Sequence, residues 1–343
     1  MVVTIRPDQH DALLRVATYH CRDFDLSVIC SDPYKLYDVR PFISETFLNP
    51  PSAPLGVLGH LPNEVLVEMC SHLDVRSTFK LRQVNRLARE IVSASPAYRD
   101  LAKHCLESLR GALRTGISSG LPMTELHRLL YKPECSRCGN FGPLLFLPLI
   151  ERCCYKCLLL DGEYRLISLD ALSEATKVSP SRLRELLPVL RTLTGNYFLL
   201  CGEQPERLDL VSYRAILQCS TPLDIQHLPN FVPNPEDEDI ILRCTAATPF
   251  PYLDKAGSNI DHGVSCLGCE MVALDRSRAA PNKKEATKLG EMAFSREGYL
   301  VHFQSCKEAQ KLWQESHEGT AKAVEPPRPF EYIRPLYSPK HYK

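Results

Sequence analysis

Leu58-Gly-His-Leu-Pro-Asn-Glu-Val-Leu-Val-Glu-Met-Cys-Ser-His-Leu-Asp74 opens the most informative stretch of this chain. Pro62 suits the first turn of a helix, where its missing N–H costs little. Glu64 falls in the same turn, where a carboxylate complements the helix dipole. Val65, Leu66, Met69 and Leu73 then share one apolar face. Asp74 to Arg76 interrupt the pattern, and Ser77 is a candidate N-cap for a second helix carrying Phe79, Leu81 and Val84. After Asn85 a third begins, with Leu87, Ile91 and Val92 on one side. A unit of about 40 residues rarely supports its own core. Part of this apolar surface is therefore expected to face a partner or the rest of the chain.

Downstream, Cys135-Ser-Arg-Cys138 is followed after residues 139–153 by Cys154-Tyr-Lys-Cys157. Two Cys-x-x-Cys pairs at this separation point to zinc. Each pair sits on a tight turn that aims two thiolates at one point, and four sulfurs at about 2.3 Å complete a tetrahedron. Gly139 and Gly142 suit such a turn. Four protein ligands leave no open position, so the site is expected to be structural. Cys153 is a rival to Cys154, although the spacing favours Cys154. A second block pairs Cys266-Leu-Gly-Cys269 with His302-Phe-Gln-Ser-Cys306. The latter falls on an expected helix from Ser295 to Gln314, where residues four apart share a face. Ala309 and Trp313 continue that face inward. Cys266, Cys269, His302 and Cys306 thus make a second zinc site, with His262 and His317 as rival ligands and residues 276–288 as a loop.

Between the clusters, Leu169 to Leu187 reads as helix, turn, helix, with Ser179 as cap and Pro180 starting the second helix. Strand candidates follow at Tyr197–Leu200 and Leu208–Val211, a winged-helix-like order. Arg182, Arg184 and Arg191 are the cations a nucleic acid would use. Lys+Arg and Asp+Glu both count 41, however, and no basic run stands out. A packing role is expected instead, and nucleic acid is not expected as a partner.

Composition agrees with a globular protein: 343 residues, 44% apolar, 24% charged. The first residues lack a basic head before an apolar core, and no run approaches the roughly 20 apolar residues of a membrane helix. A cytoplasmic or nuclear location without membrane association is the expectation. Fifteen cysteines, clustered and odd in number, favour metal over a complete disulfide set. No Gly-x-Ser-x-Gly, phosphate-cradling glycine loop or His-Glu-x-x-His is present, and no catalytic residue is expected.

Leu61-Pro62-Asn63-Glu64-Val65-Leu66, then Leu73, Ser77, Leu81 and Val84-Asn85-Arg86, resembles the F-box motif. The resemblance covers about 40 residues. It implies a trihelical unit that binds a Skp-type adaptor and so joins a cullin. It further implies that Leu61, Pro62, Glu64, Leu66, Leu81 and Val84 touch the adaptor or support the surface that does. The succession of this motif, a Cys-x-x-Cys pair block and a later Cys-x-x-Cys with His-x-x-x-Cys, closing at Trp313, is similar to fungal F-box proteins with Cys-rich zinc-binding C-terminal regions.

The resulting expectation is a mainly α chain with small α+β zinc-stapled modules: a trihelical F-box, a zinc-ribbon-like element and a treble-clef-like element. In order these are an N-terminal extension and linker (1–54), F-box (55–100), connecting helices (101–134), a four-cysteine zinc module (135–160), a helix-turn-helix or winged-helix-like segment (161–225), a linker (226–260), a zinc module of three cysteines and one histidine (261–318) and a Pro-rich tail (319–343). Function is expected to be that of a substrate receptor of a cullin–RING ubiquitin ligase, with two structural zinc ions and an unknown target protein. The alternatives are a zinc-dependent nucleic-acid binder, or an F-box protein acting outside ubiquitination.

Overall fold

The computed structural model describes residues 5–21, 25–30, 42–43, 53–197, 202–204, 206–219, 238–254, 256, 259–274, 289 and 292–321. The chain is mainly helical with small antiparallel sheets. It opens with α1 (His10–Ala17) and β1 (Thr18–Tyr19). A helical block follows: α2 (Asn63–Ser71), α3 (Val75–Arg82), α4 (Arg86–Ala94), α5 (Pro96–His104), α6 (Leu106–Thr115) and α7 (Met123–Leu130).

The caps of the first three explain their limits. Pro62 is the residue before α2 rather than within its first turn. Asp74, not Ser77, caps α3: its carboxylate accepts the Ser77 N–H at 2.7 Å. Asp outcompetes Ser here because it stands three residues earlier, where its oxygen reaches an orphan donor. Asn85 caps α4 by accepting from the Ala88 N–H at 2.8 Å.

Next come β2 (Leu144–Phe146), β3 (Glu151–Cys153) and α8 (Tyr155–Leu160). The helix-turn-helix segment consists of β4 (Leu166–Ser168), α9 (Leu169–Thr176), α10 (Pro180–Leu186) and β5 (Val189–Arg191), then the hairpin β6 (Gly195–Tyr197) and β7 (Gly202–Gln204), then β8 (Asp209–Ser212) and α11 (Tyr213–Leu217). Its sheet order is β4-β8-β5, with Ile167 and Val189 both opposite Val211. The expected Leu208–Val211 strand lies at β8, which pairs with β4 and β5 rather than with the Tyr197 strand, and Tyr197 pairs instead with Gly202 in the β6–β7 hairpin; residues 198–200 lie outside the described residues.

Residues 226–260, read from sequence as a linker, include α12 (Glu238–Cys244), β9 (Ala247–Pro249) and β10 (Tyr252–Leu253). β9 pairs with β2 on the edge opposite β3, giving the sheet β3-β2-β9. The last part holds β11 (Ile260–Asp261), β12 (Ser265–Cys266), α13 (Leu267–Leu274), α14 (Arg296–Ser305) and α15 (Lys307–Glu315). The helix expected over 295–314 is thus two helices, broken at Cys306, whose backbone is extended at φ −90° and ψ 98°. The expected loop at 276–288 and the tail beyond residue 321 lie outside the described residues.

Among the described residues three apolar cores result. The largest joins the helical block to α8 and the β3-β2-β9 sheet. A second lies among α1, α13, α14 and α15, and a third holds the helix-turn-helix segment together. Among the described residues no helix is long and apolar enough to cross a membrane.

Candidate metal centres and a candidate docking groove

Cys135, Cys138, Cys154 and Cys157 bring their sulfurs within 4.8 Å of one another. The first pair is carried by a turn in which Gly139 N–H donates to the Cys135 carbonyl at 3.0 Å. Gly139 takes φ +75°, a conformation that a side chain would strain. The second pair follows β3, and Cys154 caps α8 with its sulfur accepting from the Cys157 N–H at 3.4 Å. Cys153 is fully buried in the core, one strand position away and therefore on the other face. The structure brings Cys154 to the cluster, not its rival.

Cys138 and Cys154 sulfurs are 3.6 Å apart. A disulfide needs about 2.05 Å. Four thiolates about 2.3 Å from one ion stand about 3.8 Å apart at the edges of a tetrahedron. The observed separation fits metal geometry. Charge points the same way. Hydrogen bonds from Cys154 and Cys157 pull the Cys135 thiol far down, while the resulting thiolate pushes Cys154 and Cys157 up. Four such groups ionise together only when a dication takes up the charge.

Cys266, Cys269, His302 and Cys306 also place their ligand atoms within 4.8 Å of one another. Cys306 lies 3.8 Å from Cys266 and 3.7 Å from Cys269, sulfur to sulfur. His302 Nε2 lies 3.4 Å from the Cys269 sulfur. Burial pulls the His302 imidazolium down, but hydrogen bonds and charge from Cys266 and Cys306 outweigh it and lift it to about 9. The Phe294 ring stacks on His302 at 4.7 Å between centroids and holds the imidazole plane. Gly268, between the two cysteines, is required by packing: a Cβ there would stand 2.5 Å from the Ala309 nitrogen of α15. His262 sits instead beside His20, 6.4 Å between ring centroids, and His317 lies in the turn after α15; neither joins the cluster. Zinc suits both donor sets, which are closed and sulfur-rich. When bound it supplies neutralisation and a crosslink, while the chain's own turns and caps aim the ligands.

The first three helices of the block leave apolar side chains in the open. Leu58 and Leu61 are each 38% exposed, Val65 43%, Met69 45% and Val84 66%. Between them lies an apolar groove of about 270 Å³, lined by residues that include Leu55, Leu58, Leu66, Met69, Leu73 and Leu81. The structure separates what the sequence left together. Leu61, Pro62, Glu64 and Val84 are surface positions, Leu81 is half-buried, and Leu66 is a buried wall of the groove.

In the helix-turn-helix segment the three watched arginines pair with acids. Arg182 meets Glu185 at 2.7 Å, and Arg184 and Arg191 meet Asp209 at 2.6 and 2.8 Å. Three buried arginines among the described residues escaped sequence reading. Arg82 donates to the Phe42 carbonyl at 2.8 Å. Arg152 donates to the carbonyls of Gly142, Phe250, Leu129 and Pro251, and Arg243 to those of Leu158, Leu159 and Asp161. Long cations default to the surface, so no local signal marks them.

Two curated proteins are similar to part of this chain. F-box/WD repeat-containing protein 4 from Mus musculus is 32% identical over 83 residues, 24% of this chain and 20% of its own length. The Homo sapiens protein of the same name is 31% identical over 94 residues, 27% of this chain and 22% of its own. The chain therefore spans about a fifth of the length of these relatives. No family model and no solved structure matches it. The similarity supports an F-box relationship and nothing finer.

Proposed function

We propose that this chain is an F-box-type substrate receptor of a cullin–RING ubiquitin ligase. In this reading α2, α3 and α4 form the trihelical F-box and dock a Skp-type adaptor. The metal-stapled remainder presents a target protein, and the chemistry occurs on partners. The observation that carries the reading is the open apolar groove with its exposed rim on three short helices, at the residues where the sequence resembles the motif. Left in water, such a surface marks an interaction site. The partial similarity to F-box/WD repeat-containing proteins supports the same direction. The paired arginines weigh against the nucleic-acid alternative, since their charge is already taken up.

The test is a pull-down of purified adaptor with wild type and with Leu61→Asp/Val84→Asp. Both positions are exposed, so the variant keeps its fold. Binding by wild type and its loss in the variant, with zinc content and helicity unchanged, is the expected result. Zinc-loaded, folded wild type that captures no adaptor overturns the proposal. If the adaptor binds but no cullin is recruited, the protein acts outside ubiquitination.

A further inference from the structure

We infer that the second metal centre is a latch for the N-terminal segment: residues 5–19 belong to that centre's module, and its metal holds them in place. Three observations carry this. First, β1 pairs with β12, and the register sets Thr18 opposite Cys266, itself a ligand. Second, the Tyr299 hydroxyl, fully buried one helical turn before His302, donates to the Ala17 carbonyl at 2.8 Å and lies 3.9 Å from the Cys266 sulfur. One side chain thus touches both the N-terminal segment and the cluster. Third, Leu13, Val16 and Ala17 are buried in the second core with Phe303, Ala309 and Trp313, apart from the main core.

That core is small, and Cys266 and Cys269 are two of its nine buried members. An apolar cluster of this size does not stand without a staple. Beyond the buried Tyr299–Ala17 hydrogen bond and the β1–β12 pair, Arg15 donates to the Gly319 carbonyl and Gln9 to Glu318 at the edge of the module. The Gln9–Glu318 contact is exposed and contributes little. Removing the metal leaves three thiols and an imidazole crowded at one point, and β12 loses the anchor that aligns it with β1. Among the described residues, α1 packs principally on α15. Linkage is reciprocal: if metal holds the helix, the helix holds the metal by the same factor.

The experiment is hydrogen exchange on the full chain, zinc-loaded wild type against Cys306→Ser. Expected is faster exchange at residues 13–17 by on the order of 100-fold, the factor by which a ligand at about 100 times its Kd stabilises the state that binds it. Protection at residues 66–70 and 88–92 should persist, and one zinc should remain at the first cluster. A second variant, Leu13→Asp/Val16→Asp, leaves every ligand in place; it should release zinc from one site at a lower chelator concentration than wild type. Unchanged exchange at 13–17 in Cys306→Ser overturns the latch. So does simultaneous loss of protection throughout the chain, which would make the metal a global staple. Unaltered zinc retention in the Leu13/Val16 variant overturns the reciprocal coupling and with it the proposal.

Discussion

Arg152 is fully buried, and its guanidinium serves carbonyls from three parts of the chain: Leu129 in the last turn of α7, Gly142 in the first metal turn, and Phe250 and Pro251 after β9. It also lies over the Phe250 ring at 4.7 Å. Burial lowers its pKa to about 10, which leaves it charged at neutral pH. Replacing it by Met strands the carbonyls of Gly142, Phe250 and Pro251, each costing roughly 1–3 kcal/mol when left dry, while that of Leu129 keeps the Lys132 N–H. Arg152→Met should therefore destabilise the protein by at least about 3 kcal/mol, read as a fall in denaturant midpoint. Arg152→Lys should recover only part, because an ammonium cannot span the fork. Neighbouring cysteines divide differently. Cys154→Ser should remove one zinc equivalent, whereas Cys153→Ser should keep both metals and cost stability alone, a split that metal analysis beside a denaturation curve decides.

At the scale of elements, the helix-turn-helix segment is clamped by one carboxylate. Asp209, opposite Arg191 in the β5–β8 pairing, holds Arg184 of α10 and Arg191 of β5 together. The hydrogen bond from Arg191 is the largest cause that keeps the Asp209 pKa below its ordinary 3.8; burial opposes it and Arg184 assists. A depressed carboxylate contributes stability that is fully present above the unfolded value. That stability is lost as pH falls through the folded value. The clamp should hold at neutral pH and release below about pH 4. Asp209→Asn should cost up to about 1 kcal/mol at pH 7, since both arginines remain about half exposed. It should also flatten the acid limb of the stability profile. A pH series of urea midpoints on both proteins checks this.

For the whole molecule, the division into cores has an optical consequence. Trp313 is the sole tryptophan, 2% exposed, and it sits in the second core rather than the main one. Its emission reports that core alone. Cys306→Ser, which leaves the first cluster's four cysteines in place, should shift Trp313 fluorescence to the red while far-ultraviolet helicity changes little, because most helices belong to the main core. Coincident loss of both signals would show that the cores do not respond separately.

Much of this was legible in one dimension. The two cysteine-rich clusters that could hold a metal followed from spacing, because Cys-x-x-Cys on a turn, or a four-residue interval on a helix, is a local geometry. The three helices of residues 63–94 followed from apolar period and capping side chains, also local, although the choice of Asp74 over Ser77 was missed. The spacing already favoured Cys154 and His302; the tertiary structure set aside their rivals Cys153, His262 and His317, since strand facing and helix packing place them away from the clusters. It alone brought Thr18 to Cys266, Ile29 to Ala247 and Arg152 to Phe250. Contacts that close loops of this length leave no periodic trace, because each partner reads locally as an ordinary polar or apolar residue.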